Sequence, residues 1–442
     1  MLERLDEICA EALAEHGCPS VSVAVAQRGE VVLAEAYGLA GLAEGRAATP
    51  ATAYLLGSVT KPVTATAVCL AADEGLLDLD APVPGEYGRR AAPTARQLLQ
   101  HRGGLGAFYA WEYGEGEPMV DPGRYTVLHR EPGTGFTYAN LGYRVLGGLL
   151  ESVTGQPLGA FVRERVFEPL GLHGSHLGRT YPGPAPSAVR YTVDGRAYPD
   201  YGCGHPGATL GWAPAGELAL FAQSYERLLR PETAAAVRAA PPLNARVGYG
   251  LGWSVSYGGT PVVLSHSGGG GGVAAMVVAV PELGLSVAVL SNSTSKAARD
   301  MVLRYVLGAL VPGYTSALTD PGVPDPARPM DLPEGAVWEG RISAPEREVP
   351  VELWVLAGRR IGLRVDGVSV TGEASASEAW AVRAEVPLQL PTADARINSP
   401  VLGLQLRLEE GRLTGVAHAC KNGDGEGWLG NFLSHPCVLR PG

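Results

Sequence analysis

Lysine is nearly absent from this chain of 442 residues: Lys61, Lys296 and Lys421 stand alone against 32 arginines. A guanidinium stays protonated at any working pH, so a chain that uses arginine for almost all its positive charge keeps lysine where an amine must lose its proton. Other shortages exclude whole classes. No apolar run approaches the roughly 20 residues of a membrane-spanning helix, so no membrane partner is expected. No block of like charge is long enough to form a tail, and the net charge of −10 speaks against nucleic acid as a partner. There is no CxxC pair. Cys9, Cys18, Cys69, Cys203, Cys420 and Cys437 are scattered, as free or buried thiols would be, although Cys420 and Cys437 could pair near the C-terminus. The histidines show no ligand spacing, so no metal site is expected, and no cofactor is called for. The opening MLERLDEICAEALAEHG has no basic stretch followed by an unbroken apolar one. It does not read as an export signal, and a cytoplasmic location is expected.

What is present is 60 glycines, 35 prolines and 46% hydrophobic residues, a globular and loop-rich composition too long for one core. Apolar positions Leu2, Leu5, Ile8, Cys9 and Leu13 recur at helical spacing. Residues 20–26 and 31–37 are strand-like around the turn Arg28-Gly29-Glu30. Helix is predicted over about 59–74, and mostly helical pieces over 94–225. Strands return at 262–264, 273–280 and 285–290, before a helix near 297–310. This order predicts an α/β fold in which N- and C-terminal strands form one antiparallel sheet, flanked by helices, with a helical lobe to one side. The catalytic-sized domain is read as residues 1–315 and a Pro-rich linker as 316–335. Residues 336–442 alternate apolar and polar positions, as an all-β, barrel-like domain does.

Three short motifs carry the chemistry. In Ser58-Val59-Thr60-Lys61 the hydroxyl needs a neighbouring base to become a nucleophile. Positions i and i+3 of a helix share a face, which brings Lys61 to Ser58. A helix N-terminus there also favours a developing oxyanion. The spacing alone is weak, since Ser293-Thr294-Ser295-Lys296 repeats it; that second copy reads as the cap of the following helix. In Tyr138-Ala139-Asn140 the tyrosine could serve as a phenolate or proton relay if a nearby ammonium lowered its pKa. Asn140 could hold a substrate amide, orient Lys61, or simply cap a helix. In His266-Ser267-Gly268, followed by Gly269 to Gly272, glycines on an edge strand let a substrate carbonyl approach the backbone. The Gly269 N–H is then a second oxyanion donor beside that of Ser58.

Taken together and in this order, with flanking text such as GSVTKPVTATAV, LDLDAPV, LLQHRGGL, PGTGFTYANLGYRVLGGLLE and YGLGW, these motifs resemble the penicillin-recognising serine hydrolases over about residues 5–310. That family includes class C β-lactamases, DD-peptidases (penicillin-binding proteins), esterases and D-aminopeptidases. The resemblance implies a site between sheet and helical lobe and an acyl-Ser58 intermediate, with Lys61 and Tyr138 as the acid/base pair. It implies that Asn140 contacts the acyl side chain, that His266 and Gly268 line the site, and that the N–H groups of Ser58 and Gly269 hold the oxyanion. The trailing β domain resembles a lipocalin-like appendage. His266 stands where class C lactamases usually have lysine, a departure shared with esterases and peptidases, and His101-Arg102-Gly103-Gly104-Leu105 departs from the usual HTSGL-like stretch. A small-molecule or peptidyl acyl substrate is expected: an ester, thioester or amide. A β-lactamase or DD-peptidase is the alternative, and a silent ligand-binding module is the alternative outside enzymes. Phe108, Tyr109, Trp111 and Tyr113 are candidates for an acyl pocket, and His205 for a place near the cleft.

Overall fold

The computed structural model describes residues 2–87, 90–114, 120–257, 261–396, 398–421, 424 and 427–442. Its first domain is built on strands β1 (Ser20–Gln27), β2 (Glu30–Gly41), β3 (Val247–Tyr249), β4 (Ser254–Ser256), β5 (Leu264–Gly270), β6 (Val273–Val280) and β7 (Leu285–Ser291). With a short piece at Arg46–Ala47 they form one sheet in the order β3-β4-β5-β6-β7-β1-β2, antiparallel throughout. Its main helices are α1 (Leu5–Glu15), α2 (Thr60–Asp73), α3 (Asn140–Thr154), α4 (Ala215–Ser224) and α5 (Ala297–Leu310).

The central strands read as unbroken apolar runs because both faces are covered. On one face Val21, Val23, Val25, Val287 and Val289 pack with Leu5, Cys9 and Ala12 of α1 and Val302 and Val306 of α5. On the other, Ala24, Ala26, Ala288 and Leu290 join the core that contains α2 and α4. Helix α2 is buried from Thr60 to Ala71, so its whole surface is apolar or internally bonded. The middle of the chain is less helical than its sequence suggests. The aromatic-rich strand Trp111–Tyr113 pairs with Tyr201–Cys203, and Tyr54–Leu55, Gly211–Ala213 and His176–Leu177 form a further small sheet.

The second domain is a closed antiparallel barrel of β8 (Val337–Ser343), β9 (Glu348–Leu356), β10 (Arg360–Val365), β11 (Val368–Ser375), β12 (Val382–Val386), β13 (Val401–Glu409), β14 (Arg412–Cys420) and β15 (Phe432–Pro441). Alternate residues point inward, as Val349, Val351, Leu353 and Val355 do along β9. Closure between β8 and β15 removes the exposed edge an open sheet would leave. The Pro-rich segment before it is no free tether: Arg328 exchanges two backbone hydrogen bonds of 2.8 Å with Ala376. The barrel docks by strand addition. Phe432 and Leu433 of β15 pair with Tyr109 and Phe108. All six cysteines are free and buried, so Cys420 and Cys437 do not pair. Among the described residues no helix is long and apolar enough to cross a membrane.

Candidate active site

Strand β4 pairs with β5 only at Leu264 and Ser265, so from His266 onward one edge of β5 carries no strand. The turn Gly57–Val59, a 3-10 turn that runs straight into α2, fills that space. The approach is close enough to require glycine on both sides. A Cβ on Gly268 would stand 2.0 Å from the Leu56 carbonyl oxygen. Gly57, in the left-handed region at φ +55, would put one 3.0 Å from the Gly269 nitrogen. Thr60 pins the turn: its Oγ1 donates to the Gly57 carbonyl (2.7 Å) and accepts from the Gly211 N–H (2.8 Å). Ser58 therefore sits at a helix N-terminus beside the free edge of β5.

One turn past Ser58, the fully buried Lys61 reaches back. Its Nζ lies 3.1 Å from Ser58 Oγ, 2.8 Å from Asn140 Oδ1 and 3.1 Å from the Ala208 carbonyl oxygen. No ion pair to a carboxylate is formed by Lys61 among the described residues. Burial holds the amine well below its ordinary value, with only weak opposition from Cys203. A neutral amine there would spend its two N–H groups on Asn140 and Ala208 and turn its lone pair to Ser58.

Tyr138 stands beside this pair. Lys61 Nζ is 4.7 Å from its ring centroid, and Ser58 and Tyr138 line the same cleft. The expectation of a phenolate favoured by a nearby ammonium does not hold. Burial first, then Tyr249 and Tyr109, hold the phenol well above its usual range, and Ser58 only opposes this. Tyr138 rests as a proton donor.

Asn140 opens α3 and is bonded at both ends of its amide. Its Oδ1 accepts from Lys61, its Nδ2 donates to the Phe108 carbonyl (2.9 Å), and the residue is buried. Of the roles expected of Asn140, orienting Lys61 has its contact here. His266 does line the cleft. Its Nδ1 faces the Ser267 carbonyl at 2.9 Å and so carries the hydrogen; its Nε2 then accepts from the Tyr249 hydroxyl at 2.8 Å. Burial, with Lys61 adding to it, holds the ring down at about 3. As placed, both ring nitrogens of His266 are partnered, by Tyr249 and by Ser267.

The cleft of about 530 Å³ is lined by Ser58, Tyr138, His266, Gly269, Tyr109 and both remaining lysines, among others. Of the four aromatic candidates only Tyr109 lines it. Phe108 packs on Tyr125 and His205, while Trp111 and Tyr113 pack on Tyr201. His205 lies beneath the site, with Nδ1 2.9 Å from Thr209 Oγ1.

Two residues escaped the sequence reading. Lys296 is the N-cap residue of α5 but makes no capping bond; the nearby bond runs from the Ala297 N–H to Ser295 Oγ (3.3 Å). Its amine turns into the cleft instead. The rarity of lysine was the signal that could have found it. His101, from the stretch that departs from HTSGL, adopts φ +55 and accepts the Ala139 N–H at 3.1 Å. Its ring lies 4.1 Å from that of Tyr138, so it holds the loop that presents the phenol.

The sequence profile named Beta-lactamase matches residues 5–310, and the chain belongs to that family. It is a serine hydrolase of the beta-lactamase fold. It is 30% identical over 318 residues to Penicillin-binding protein 4 of Amycolatopsis lactamdurans, covering 63% of this chain and 82% of that one. It is 35% identical over 195 residues to Esterase EstB of Burkholderia gladioli, spanning 38% of this chain and half of the esterase. Among solved structures, SurE with D-Leu matches 99% of both chains, barrel included, at a TM-score of 0.66 and 21% identity.

Proposed function

We propose that the protein transfers acyl groups from an ester, thioester or amide through an acyl-Ser58 intermediate. The observation that carries this reading is the buried Lys61 amine, without a carboxylate partner, 3.1 Å from Ser58 Oγ. As a neutral amine, Lys61 removes the Ser58 proton while Oγ attacks the carbonyl carbon. The N–H groups of Ser58 and Gly269 stabilise the oxyanion. Tyr138 then gives its proton to the leaving group and recovers one from the Lys61 ammonium. Water or another acceptor enters by the reverse path and releases the acyl group from Ser58. His101 and Asn140 position Tyr138 and Lys61.

Intact mass after incubation with a p-nitrophenyl ester and, separately, with a penicillin tests this on wild type and Ser58→Ala. Ester turnover or an adduct that depends on Ser58 is expected. Turnover retained in Ser58→Ala would remove the mechanism. The penicillin-binding relative supports a second reading, a DD-peptidase or lactamase. A lasting penicillin adduct would favour the former, and rapid penicillin hydrolysis the latter.

A further inference from the structure

A separate cavity of about 140 Å³ lies where the two domains meet, and it shares no lining residue with the Ser58 cleft. Leu105, His129, Arg130 and Thr137 line it from the first domain, and Arg407 and Phe432 are among those that line it from the barrel. Phe432 pairs with Tyr109, which lines the Ser58 cleft, and their rings stand 6.2 Å apart.

The local structure brings one guanidinium to this cavity from each domain. On β13 the inward residues Leu402, Leu404 and Leu406 fill the barrel, so alternation puts Gln405 and Arg407 on its outer wall. The Arg407 guanidinium lies over the Trp380 ring, with Cζ 3.9 Å from the centroid. Across the seam, the His129 N–H donates to the Gly104 carbonyl at 2.8 Å and fixes the backbone that carries Arg130. The Arg130 side chain runs over Gly135, where a Cβ would collide with its Nη1. The two charges feel each other. Burial first, then Arg407 and Arg102, hold Arg130 down to about 10.

No carboxylate lines the cavity among the described residues. Glu131, next to Arg130 in the chain, pairs with Arg90 at 3.2 Å. Glu409, the acid that acts on Arg407, accepts from Thr414 Oγ1 at 2.8 Å. Both arginines are half-buried, so water screens their repulsion only in part. An anion between them would replace that repulsion with two attractions.

We propose that this seam cavity binds a small oxyanion, a phosphate or the carboxylate of a small molecule, gripped by Arg130 of the first domain and Arg407 of the barrel. A guanidinium meets either group with paired hydrogen bonds, and the volume suits an ion of a few heavy atoms. The bound ion would tie the barrel to Thr137, whose N–H donates to the His101 carbonyl at 2.9 Å and which directly precedes Tyr138. The site stands apart from the acyl-Ser58 reading and does not depend on it.

Calorimetric titration of the full chain with inorganic phosphate and with propionate tests this, at an ionic strength held constant with sodium chloride. One of the two is expected to bind saturably, and the tighter one identifies the anion. Arg130→Met and Arg407→Met should each weaken that binding about tenfold or more, as loss of a charge-assisted hydrogen bond does. Arg130→Lys and Arg407→Lys keep the charge but not the paired geometry, and they replace a methionine variant that fails to fold; each should still weaken binding severalfold. Lys421→Met, in the Ser58 cleft, should leave binding unchanged. No saturable binding of either anion, or binding unmoved by substitution at Arg130 or at Arg407, would overturn the inference. Loss of binding in Lys421→Met would also overturn it, by placing the anion in the Ser58 cleft.

Discussion

Asn140 ties Lys61 to the backbone of Phe108: its Oδ1 lies 2.8 Å from Lys61 Nζ, and its Nδ2 donates to the Phe108 carbonyl at 2.9 Å. The base is thereby fixed by a neutral amide. Lys61 gains two acceptors without a negative charge, so burial remains the dominant influence on its proton affinity.

Replacing that amide by a carboxylate should show it. Asn140→Asp sets an anion against the buried amine and raises its pKa. An amine serves as base only above its pKa, so the acid limb of kcat/KM should move to higher pH. At neutral pH the loss should be about a hundredfold, within the range of general-base catalysis, and activity should recover as pH rises. Asn140→Ala, which adds no charge, should lose activity without moving the limb to higher pH. A pH–rate profile of Asn140→Asp that superposes on wild type would show that Lys61 is not the titrating base.

The first contact of this network was open to a reader of the sequence, because Ser58 and Lys61 share a helix and i, i+3 spacing fixes their approach. The antiparallel sheet and the barrel were legible for the same reason: periodicity and turn residues are local. Asn140 was visible as a candidate, but its partner was not, since it lies 79 residues from Lys61. His101 was hidden because its role depends on φ +55 and on a backbone N–H 38 residues away. Lys296 was misread because a serine-rich stretch before a helix signals a cap, and the local signal was partly right: Ser295 does bond the Ala297 N–H.

The junction between the Ser58 turn and β5 should tolerate no side chain at Gly268. A methyl there would stand 2.0 Å from the Leu56 carbonyl, and backbone cannot yield as a side chain can. Gly268→Ala should cost about 1–3 kcal/mol of stability, the usual range for overpacking, and should displace Ser58 from Gly269. Gly270→Ala is the control, since its nearest neighbour would be the Trp111 ring at 3.5 Å. Its stability should stay within about 0.5 kcal/mol of wild type. Chemical denaturation of the two variants measures the difference, and equal stabilities would show that the approach is looser than drawn.

The barrel should affect the chemistry as well as recognition, because it grips the segment that anchors Asn140. Asn431 Oδ1 accepts the Trp111 N–H at 3.1 Å, Ser434 Oγ donates to the Ala107 carbonyl at 2.7 Å, and the Tyr113 hydroxyl donates to the Leu429 carbonyl at 2.9 Å. Asn431→Ala strands the Trp111 N–H in a buried place, which costs about 1–3 kcal/mol. The strain should appear as faster hydrogen exchange in residues 106–113 while the rest of the first domain stays protected. If the Phe108 carbonyl shifts with that segment, Asn140 and Lys61 shift too, and kcat for a neutral ester should fall about tenfold or more, as small displacements of catalytic groups do. Faster exchange with an unchanged Ser58 acylation rate would mean that the segment moves without carrying Asn140. The barrel would then leave the Ser58 chemistry untouched.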